Sequence, residues 1–250
     1  MKRPETDYRT YRLSRREWLI YGAAGCGIAA ASAYVFYRNI IAFVLLSPLA
    51  VLYPIYKKSD LKAARDRRLT EEFRECIMTL SSALSAGYSP ENAMKETESE
   101  LRLIYGAESM MVGELEHMNH LIVMNIGLEK AWSEFAERSG NEDILNFAQV
   151  IRIAKRNGGD LDRIISATAD AIGDKIRVKE EILTMTAGRR FEQKIMNIIP
   201  FAIVIYIDVT SPGFFDMMYR TFFGRAVMTA CLLAFAGAVV LAGRILNIEI

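Results

Sequence analysis

Four long apolar stretches divide the chain. They are residues 18–37, 39–56, 195–215 and 226–243. Only Arg38 separates the first two, and Asp208 is the one charge within the third. About 18 to 20 apolar residues in a helix cover the bilayer hydrocarbon core of about 30 Å. The pattern therefore predicts four transmembrane helices, arranged as an N-terminal and a C-terminal hairpin.

The first stretch also allows a second interpretation, a cleaved secretory signal. Basic residues precede it, and it contains Ala31-Ser32-Ala33, a cleavage-type sequence of small residues. A second apolar stretch follows almost at once, so the orientation of everything after it is the same with or without cleavage. The topology does not depend on which interpretation holds.

Basic residues mark one side of both hairpins. Lys and Arg are concentrated before the first span and after the second, at Lys2, Arg3, Arg9, Arg12, Arg15, Arg16, Lys57, Lys58, Lys62, Arg65, Arg67 and Arg68. Arg189, Arg190 and Lys194 precede the third span, and Arg244 follows the fourth. The positive-inside rule places these groups in the cytoplasm, where they suit anionic lipid headgroups. Both termini and the segment between the hairpins are then cytoplasmic, and residues 210–225 lie outside.

The segment between the hairpins has an apolar period near 3.6 and shows no alternating pattern of the β type. Glycine, asparagine and N-capping residues fall where helices would begin or end. The predicted helices are residues 70–86, a helix beginning at Ser89-Pro90-Glu91, residues 109–124, 127–139 and 141–157, and a helix from Asp160 towards Arg190. We therefore predict an all-α membrane protein in which four transmembrane helices flank a cytoplasmic bundle of about six antiparallel helices.

This prediction divides the chain into five parts. They are a basic cytoplasmic N-terminus (residues 1–17), a transmembrane hairpin (18–56), a basic collar (57–68), a cytoplasmic helical domain (69–190), and a C-terminal transmembrane hairpin with a short cytoplasmic tail (191–250).

Composition and charge narrow the possible functions. Hydrophobic residues make up 52% of the chain and charged residues 24%, and the two classes occupy different stretches. Residues 69–188 contain 12 Lys and Arg against 21 Asp and Glu, a net charge of −9. Nucleic-acid binding requires a basic face, so an acidic body argues against a nucleic-acid partner.

No catalytic or cofactor-binding motif is evident. The chain contains no Gly-Lys dipeptide, which excludes a phosphate-binding loop of the GxxxxGK[ST] type, and it contains no HExxH, GxSxG or CxxC. His117 and His120 lie three apart near Glu114 and Glu116, but without a third ligand cluster solvated or interfacial histidines are favoured over a metal site. We expect no enzymatic activity, no metal and no cofactor.

Asp208 allows two interpretations. A carboxylate inside a membrane span is costly and points to a functional site, such as an ion pathway. Alternatively, the helix ends near Ile207 and Asp208 lies at the membrane interface, because Thr210, Ser211 and Pro212 follow directly.

Two surfaces are candidates for packing or binding. Gly22, Cys26, Ala30 and Ala33 form a face of small residues in the first span, which permits close helix packing within or between chains. Methionines 110, 111, 118 and 124 form either part of a helical core, which we favour, or an adaptable binding surface.

Three phrases of the cytoplasmic segment resemble the type II secretion F-type domain of secretion and pilus platform proteins. They are Leu80-Ser81-Ser82-Ala83-Leu84-Ser85-Ala86-Gly87-Tyr88-Ser89-Pro90-Glu91-Asn92-Ala93, then Gly127-Leu128-Glu129-Lys130-Ala131-Trp132, then Lys155-Arg156-Asn157-Gly158-Gly159-Asp160-Leu161. A single such domain with two spans on each side is similar to the TadB/TadC platform proteins of tight-adherence (Flp) pili.

The resemblance implies a non-enzymatic platform in the inner membrane. Its implied partners are a separate hexameric ATPase, pilin subunits, the lipid bilayer, and a paralogous platform subunit or a second copy of itself. For ATPase contact we select polar residues near the glycine-containing turns, namely Glu91, Glu129, Arg156 and Asp160. The competing functions are a small transporter or channel that uses Asp208, and a membrane-anchored signalling scaffold.

Overall fold

The computed structural model describes residues 7–11, 13–157 and 161–246. Within these residues the chain forms nine helices and no strand, which confirms the all-α membrane-type fold. The helices are α1 (Arg15–Tyr37), α2 (Ile40–Ser85), α3 (Pro90–Tyr105), α4 (Met110–Val123), α5 (Leu128–Ser139), α6 (Glu142–Asn157), α7 (Leu161–Thr210), α8 (Asp216–Arg220) and α9 (Phe222–Leu246).

Two helices are longer than the individual apolar stretches predict. α2 joins the second apolar stretch, the basic collar and the first bundle helix in 46 residues. No glycine or proline occurs between Ile55 and Ser85, and the collar consists largely of good helix formers, so nothing interrupts propagation. α7 likewise runs for 50 residues, so the last bundle helix continues without a break through Pro200 into the third apolar stretch.

Three helical segments among the described residues are long and apolar enough to cross a membrane. They are Arg15–Tyr37, Arg163–Thr210 and Phe222–Ile245. The second predicted span lies in the first part of α2, where several side chains fall outside the described residues, and its crossing stays a prediction. α7 ends at Thr210, five residues before the apolar stretch does, because Pro212 lacks an N–H group and Gly213 adopts a φ of 90°.

The chain divides into two compact units. Unit 1 contains the described residues up to Tyr11 together with Asp60–Glu180, and unit 2 contains those of Arg12–Ser59 and Glu181–Ile250. In unit 1, short connections make α3, α4, α5 and α6 successive antiparallel neighbours. The turns use glycine where the backbone requires it: Gly87 has a φ of 89° and Gly140 a φ of 64°.

An aromatic cluster forms the centre of unit 1. Phe73 of α2, Trp132 of α5 and Phe147 of α6 are fully buried and pack edge to face. Their ring centroids lie 6.3 Å apart for Phe73 and Trp132, 5.7 Å for Phe73 and Phe147, and 4.9 Å for Trp132 and Phe147. This geometry is the preferred one for aromatic pairs, so the cluster fixes α2 against α5 and α6.

The methionines divide between the two roles considered for them. Met111 and Met118 are fully buried in the core, and Met110 packs against it while partly buried. Met124, after the end of α4, is 59% exposed. The core interpretation therefore holds for the stripe on α4, and Met124 lies on the surface.

A buried carboxylate joins α2 to the start of α4. Glu72 is 1% exposed and accepts hydrogen bonds from Ser109 Oγ at 2.8 Å and from the Met111 N–H at 3.0 Å. Arg68 Nε donates to its other oxygen at 3.0 Å. Backbone N–H groups at a helix N-terminus have no partner within the helix, so Glu72 satisfies α4 from a helix that is distant in sequence.

Replacement of Glu72 by Ala should lower the free energy of unfolding by roughly 2–3 kcal/mol, because the buried donors of Ser109 and Met111 lose a charged acceptor. Urea titration of the full chain in detergent micelles measures this through the fluorescence of Trp132, in a Trp18→Phe background that leaves it as the one tryptophan. Glu96→Ala, at an exposed position of α3, is the control and should change stability by less than about 0.5 kcal/mol. If the two substitutions lowered the free energy of unfolding equally, the buried contacts of Glu72 would contribute no more to stability than an exposed carboxylate does.

Candidate functional site

Two of the residues selected for partner binding lie at one end of the bundle. α3, α4 and α5 alternate in direction, so the connection 86–89 between α2 and α3 and the connection 124–127 between α4 and α5 lie at the same end. We call this the distal end. Glu91 is exposed in the first turn of α3, and Glu129 lies in the first turn of α5. Both carboxylates are therefore next to turns of the distal end.

Glu129 is held in position by α6. Lys155 Nζ donates a hydrogen bond to Glu129 Oε2 at 2.7 Å, and this bond lowers the pKa of the Glu129 carboxyl below its ordinary value. Gly127 supports the arrangement, because a Cβ at that position would lie 2.7 Å from the Glu129 carboxylate oxygens. The glycine of this turn thus serves close packing, and the carboxylate beside it is ionised and oriented.

The other two selected residues cannot be placed. Arg156 belongs to α6, but its side chain lies outside the described residues. The whole of Asp160 also lies outside them, as do Gly158 and Gly159. Their contribution to a binding surface stays a prediction.

Sequence reasoning missed two of the three apolar side chains that are exposed at the distal end, Tyr88 and Val123, whereas Met124 was already considered as part of an adaptable binding surface. Tyr88 is 47% exposed, Val123 is 72% exposed and Met124 is 59% exposed. Protein interfaces commonly have an apolar centre surrounded by polar groups. Tyr88 and Val123 fall at helix ends, where an apolar period no longer determines which side faces the core, so the pattern gave no signal for them.

The two histidines differ in their surroundings. His117 Nε2 lies 3.2 Å from Glu134 Oε1 across the contact between α4 and α5, and His120 is exposed. Among the described residues no group of three or more His, Cys, Asp or Glu side chains is placed to hold a metal ion.

In unit 2, Asp208 forms an ion pair with Arg38, the residue that separates the first two apolar stretches. Asp208 lies in the last turn of α7, and its side chain is 17% exposed. Tyr34 donates a hydrogen bond to Asp208 Oδ2 at 3.5 Å, and Arg38 Nη1 lies 3.9 Å from Asp216 Oδ1. The two charges that stand out in the apolar stretches are therefore partners.

The position of Arg38 is fixed by its backbone and by two aromatic rings. Arg38 ends α1 in the left-handed region with a φ of 44°, a conformation that favours glycine. Its guanidinium lies 5.7 Å from the ring centroid of Tyr34 and 5.8 Å from that of Tyr219. Tyr219 Oη donates to the carbonyl of Val35 at 2.7 Å. The cluster joins the end of α1 to the end of α7 and to α8.

The small-residue face of α1 overlaps only partly with the face that packs inside the chain. The buried small residues are Gly25, Ala29 and Ala33. Of the predicted set, Ala33 is buried, Cys26 and Ala30 are exposed, and a Cβ at Gly22 would meet no atom within 4 Å. Gly22, Cys26 and Ala30 stay a prediction for packing between chains.

Comparison with known proteins gives one family. The family described as type II secretion system (T2SS), protein F, matches residues 76–207. This range begins in α2, includes α3 to α6, and ends in the last turns of α7. No curated protein and no solved structure gives a significant match to the chain.

The Arg38–Asp208 pair should couple energetically. Arg38→Asp and Asp208→Arg each place like charges together and should destabilise unit 2, and the double variant should recover much of the loss. We expect a coupling energy of roughly 0.5–3 kcal/mol. SDS titration of the full chain in mixed micelles measures it through Trp18, in a Trp132→Phe background.

Asp216→Asn is the matched control, because its carboxylate is 53% exposed and lies farther from Arg38. It should cost less than either single reversal. Strict additivity of the two reversals would show that the pair contributes nothing.

Proposed function

The chain belongs to the type II secretion system protein F family, and we propose that it is an inner-membrane platform protein of a tight-adherence (Flp) pilus or a related type II secretion machine. Proteins of this family are structural platforms rather than enzymes, and they generally interact with secretion or pilus ATPases and with the membrane. In this proposal the chain is not an enzyme, and a separate hexameric ATPase supplies the energy for pilin extraction and fibre assembly.

The continuity of α7 is the observation that carries the proposal. This helix contributes Ile165, Ala169 and Ile172 to the core of the bundle, passes through a charged stretch that ends at Lys194, and continues as the third apolar stretch to Thr210. Every residue added to a helix is fixed by its own backbone hydrogen bond. A force on the bundle can therefore act on the third span through one continuous helix.

The ion pair between Arg38 and Asp208 supports the proposed topology. The end of α1 and the end of α7 carry these partners, so both ends belong on the same side of the membrane. The basic residues at the opposite ends of the spans indicate the cytoplasmic side. We therefore propose a multi-pass protein whose termini and main domain are cytoplasmic.

The distal end is the proposed contact for the ATPase. It presents the apolar side chains of Tyr88, Val123 and Met124 beside the carboxylates of Glu91 and Glu129. This combination of exposed apolar and charged side chains has the composition of a protein interface, in which apolar groups are surrounded by polar ones. Arg156 and Asp160 stay in the proposed set as sequence predictions, because they lie outside the described residues or have undescribed side chains. A paralogous platform subunit or a second copy, and pilin subunits, complete the proposed set of partners.

The competing functions receive no comparable support. A transporter or channel that uses Asp208 would need this carboxylate available to cargo, whereas a guanidinium and a tyrosine hydroxyl already bind it. No observation favours a signalling scaffold.

A photo-crosslinking amino acid at Tyr88 should capture a pilus-type ATPase in intact cells of the native host. The same amino acid at Ala107, an exposed position in the connection between α3 and α4 at the other end of the bundle, is the control. Mass spectrometry of the extracted adducts identifies the partners. Adducts that contain only this chain, or equal capture from both positions, would contradict the proposed ATPase contact.

A flexible Gly/Ser segment inserted after Ala187 should abolish fibre assembly, because it interrupts the continuous helix of α7. Gly188→Ala is the matched control: a Cβ at this position meets no atom within 4 Å, and alanine favours the helix, so assembly should persist. Immunoblotting of sheared fibres, at equal membrane levels of each variant, measures the result. Normal assembly by the insertion variant would rule out transmission through α7.

A further inference from the structure

A short non-helical segment, residues 7–11, packs against the helical bundle before the chain enters α1. We call it the strap. Tyr8 is its central residue: the side chain is 4% exposed and belongs to the apolar core of unit 1. The sequence pattern presented this segment only as part of a basic N-terminus, so it gave no indication that one of its side chains is buried.

Tyr8 bridges α4 and α5. Its hydroxyl donates a hydrogen bond to Glu114 Oε1 at 3.0 Å, and its N–H donates to the carbonyl of Arg138 at 3.1 Å. Arg138 in turn binds the Glu114 carboxylate with both terminal nitrogens, at 3.0 Å and 2.5 Å. Burial raises the pKa of the Tyr8 hydroxyl, so it stays protonated and remains a donor.

Arg65 of α2 holds the strap from the other side. Its guanidinium donates to the carbonyls of Tyr8 at 2.5 Å and Thr10 at 3.3 Å. It also lies 5.7 Å from the ring centroid of Tyr8 and 5.3 Å from that of Tyr11. The strap thus contacts three helices, α2, α4 and α5, through main-chain, charged and aromatic interactions at once.

The strap is also a direct connection to the first span. Three residues separate Tyr11 from Arg15, the first residue of α1. The chain passes between the two units at three places: after Tyr11, after Ser59 within α2, and after Glu180 within α7. The family match begins at residue 76, so the strap lies outside the part of the chain that identifies the family.

We propose that the strap is a tether that carries movement of the bundle to α1, with Tyr8 as the residue that attaches it. The proposal rests on the proposed platform function for the source of that movement, while the attachment rests on the contacts alone. A segment whose one role is to stabilise the bundle would need the buried ring and its hydrogen bonds. It would not need a short link to α1. Lengthening this link while Tyr8 stays attached therefore distinguishes a tether from a purely stabilising segment.

Four variants of the full chain separate attachment from transmission. Tyr8→Ala removes the buried ring and should release the strap, and Tyr8→Phe keeps the ring but loses the bond to Glu114. Thr10→Ala is the matched control, because the Thr10 side chain is exposed, its hydroxyl makes only a 3.5 Å hydrogen bond to Asp7 within the strap, and Arg65 binds only its carbonyl. Insertion of Gly-Ser-Gly-Ser after Leu13 leaves Tyr8 attached and makes the link to α1 slack.

Hydrogen exchange of the full chain in detergent micelles measures both steps. The exchange rate of the amide at position 8 measures attachment of the strap. The exchange rate in the first turn of α1, where the Trp18 N–H donates to the Ser14 carbonyl at 2.9 Å, measures transmission. In Tyr8→Ala the exchange at position 8 should rise by about tenfold or more. The insertion should leave position 8 protected. Both variants should raise exchange in the first turn of α1, and Thr10→Ala should change neither.

In the native host, Tyr8→Ala and the insertion should both lose most fibre assembly at wild-type membrane levels, and Tyr8→Phe should lose less. Unchanged exchange at position 8 in Tyr8→Ala would refute the attachment. Normal assembly by the insertion variant would refute the tether and leave the platform function standing. If deletion of the whole gene leaves fibre assembly intact, the proposed platform function is wrong. The tether is then tested by hydrogen exchange in the first turn of α1: a higher exchange rate in Tyr8→Ala and in the insertion variant supports it, and an unchanged rate refutes it.

Discussion

Burial of charged groups is the constraint on which the bundle depends. Glu72, Glu114 and Asp143 are between 1% and 8% exposed. A carboxylate taken out of water is tolerated only when it is paired and hydrogen-bonded, because desolvation of an unpaired charge costs several kcal/mol. Each of the three therefore needs a partner from a distant part of the chain: the start of α4 for Glu72, Arg138 and Tyr8 for Glu114, and Lys175 for Asp143, at 2.6 Å. Apolar packing alone allows several registers between helices, and these pairs select one.

In unit 2 as well, a charged pair complements apolar packing between helices. Phe201 packs edge to face on Phe36 and on Phe235, with centroid distances of 6.2 Å and 5.5 Å, so α1, α7 and α9 share one aromatic contact. Aromatic contacts of this kind do not determine which ends of two helices lie together. The ion pair between Arg38 and Asp208 does, because it holds the end of α7 beside the end of α1. The proposed platform function would use both properties, helices that resist deformation and interhelical contacts with a defined partner.

Much of the fold could be predicted because its signals are local. The helix boundaries at Ser89, Ser109, Gly127 and Gly140 follow from capping residues, and the buried stripe of Phe73, Ile77, Leu80 and Leu84 follows from its period. The merging of the basic collar into α2 was not predicted, because the basic residues were interpreted as a membrane boundary, although the absence of glycine and proline from residues 55–85 was the available signal.

The candidate site was less predictable, because its elements are non-local. Asp208 was recognised as unusual, but nothing in the spacing linked it to Arg38, 170 residues earlier. Tyr8 looked like one aromatic among basic residues, and its role appears only when Glu114, Arg138 and Arg65 are brought together by folding. Glu129 was selected for its turn, whereas its orientation comes from Lys155 on the next helix. Side chains that act through pairs leave no periodic signal.

The chain connects its two units at three places, and the number of connections limits how the units can move relative to each other. A body attached to another at two points can still rotate about the line through those points. A third attachment away from that line removes this rotation, so the remaining relative motion must bend or stretch the attachments themselves. Two of the three passages here lie within continuous helices, α2 and α7, which resist stretching strongly and bending less so. Any relative motion of the two units therefore has to bend these two helices or deform the third connection.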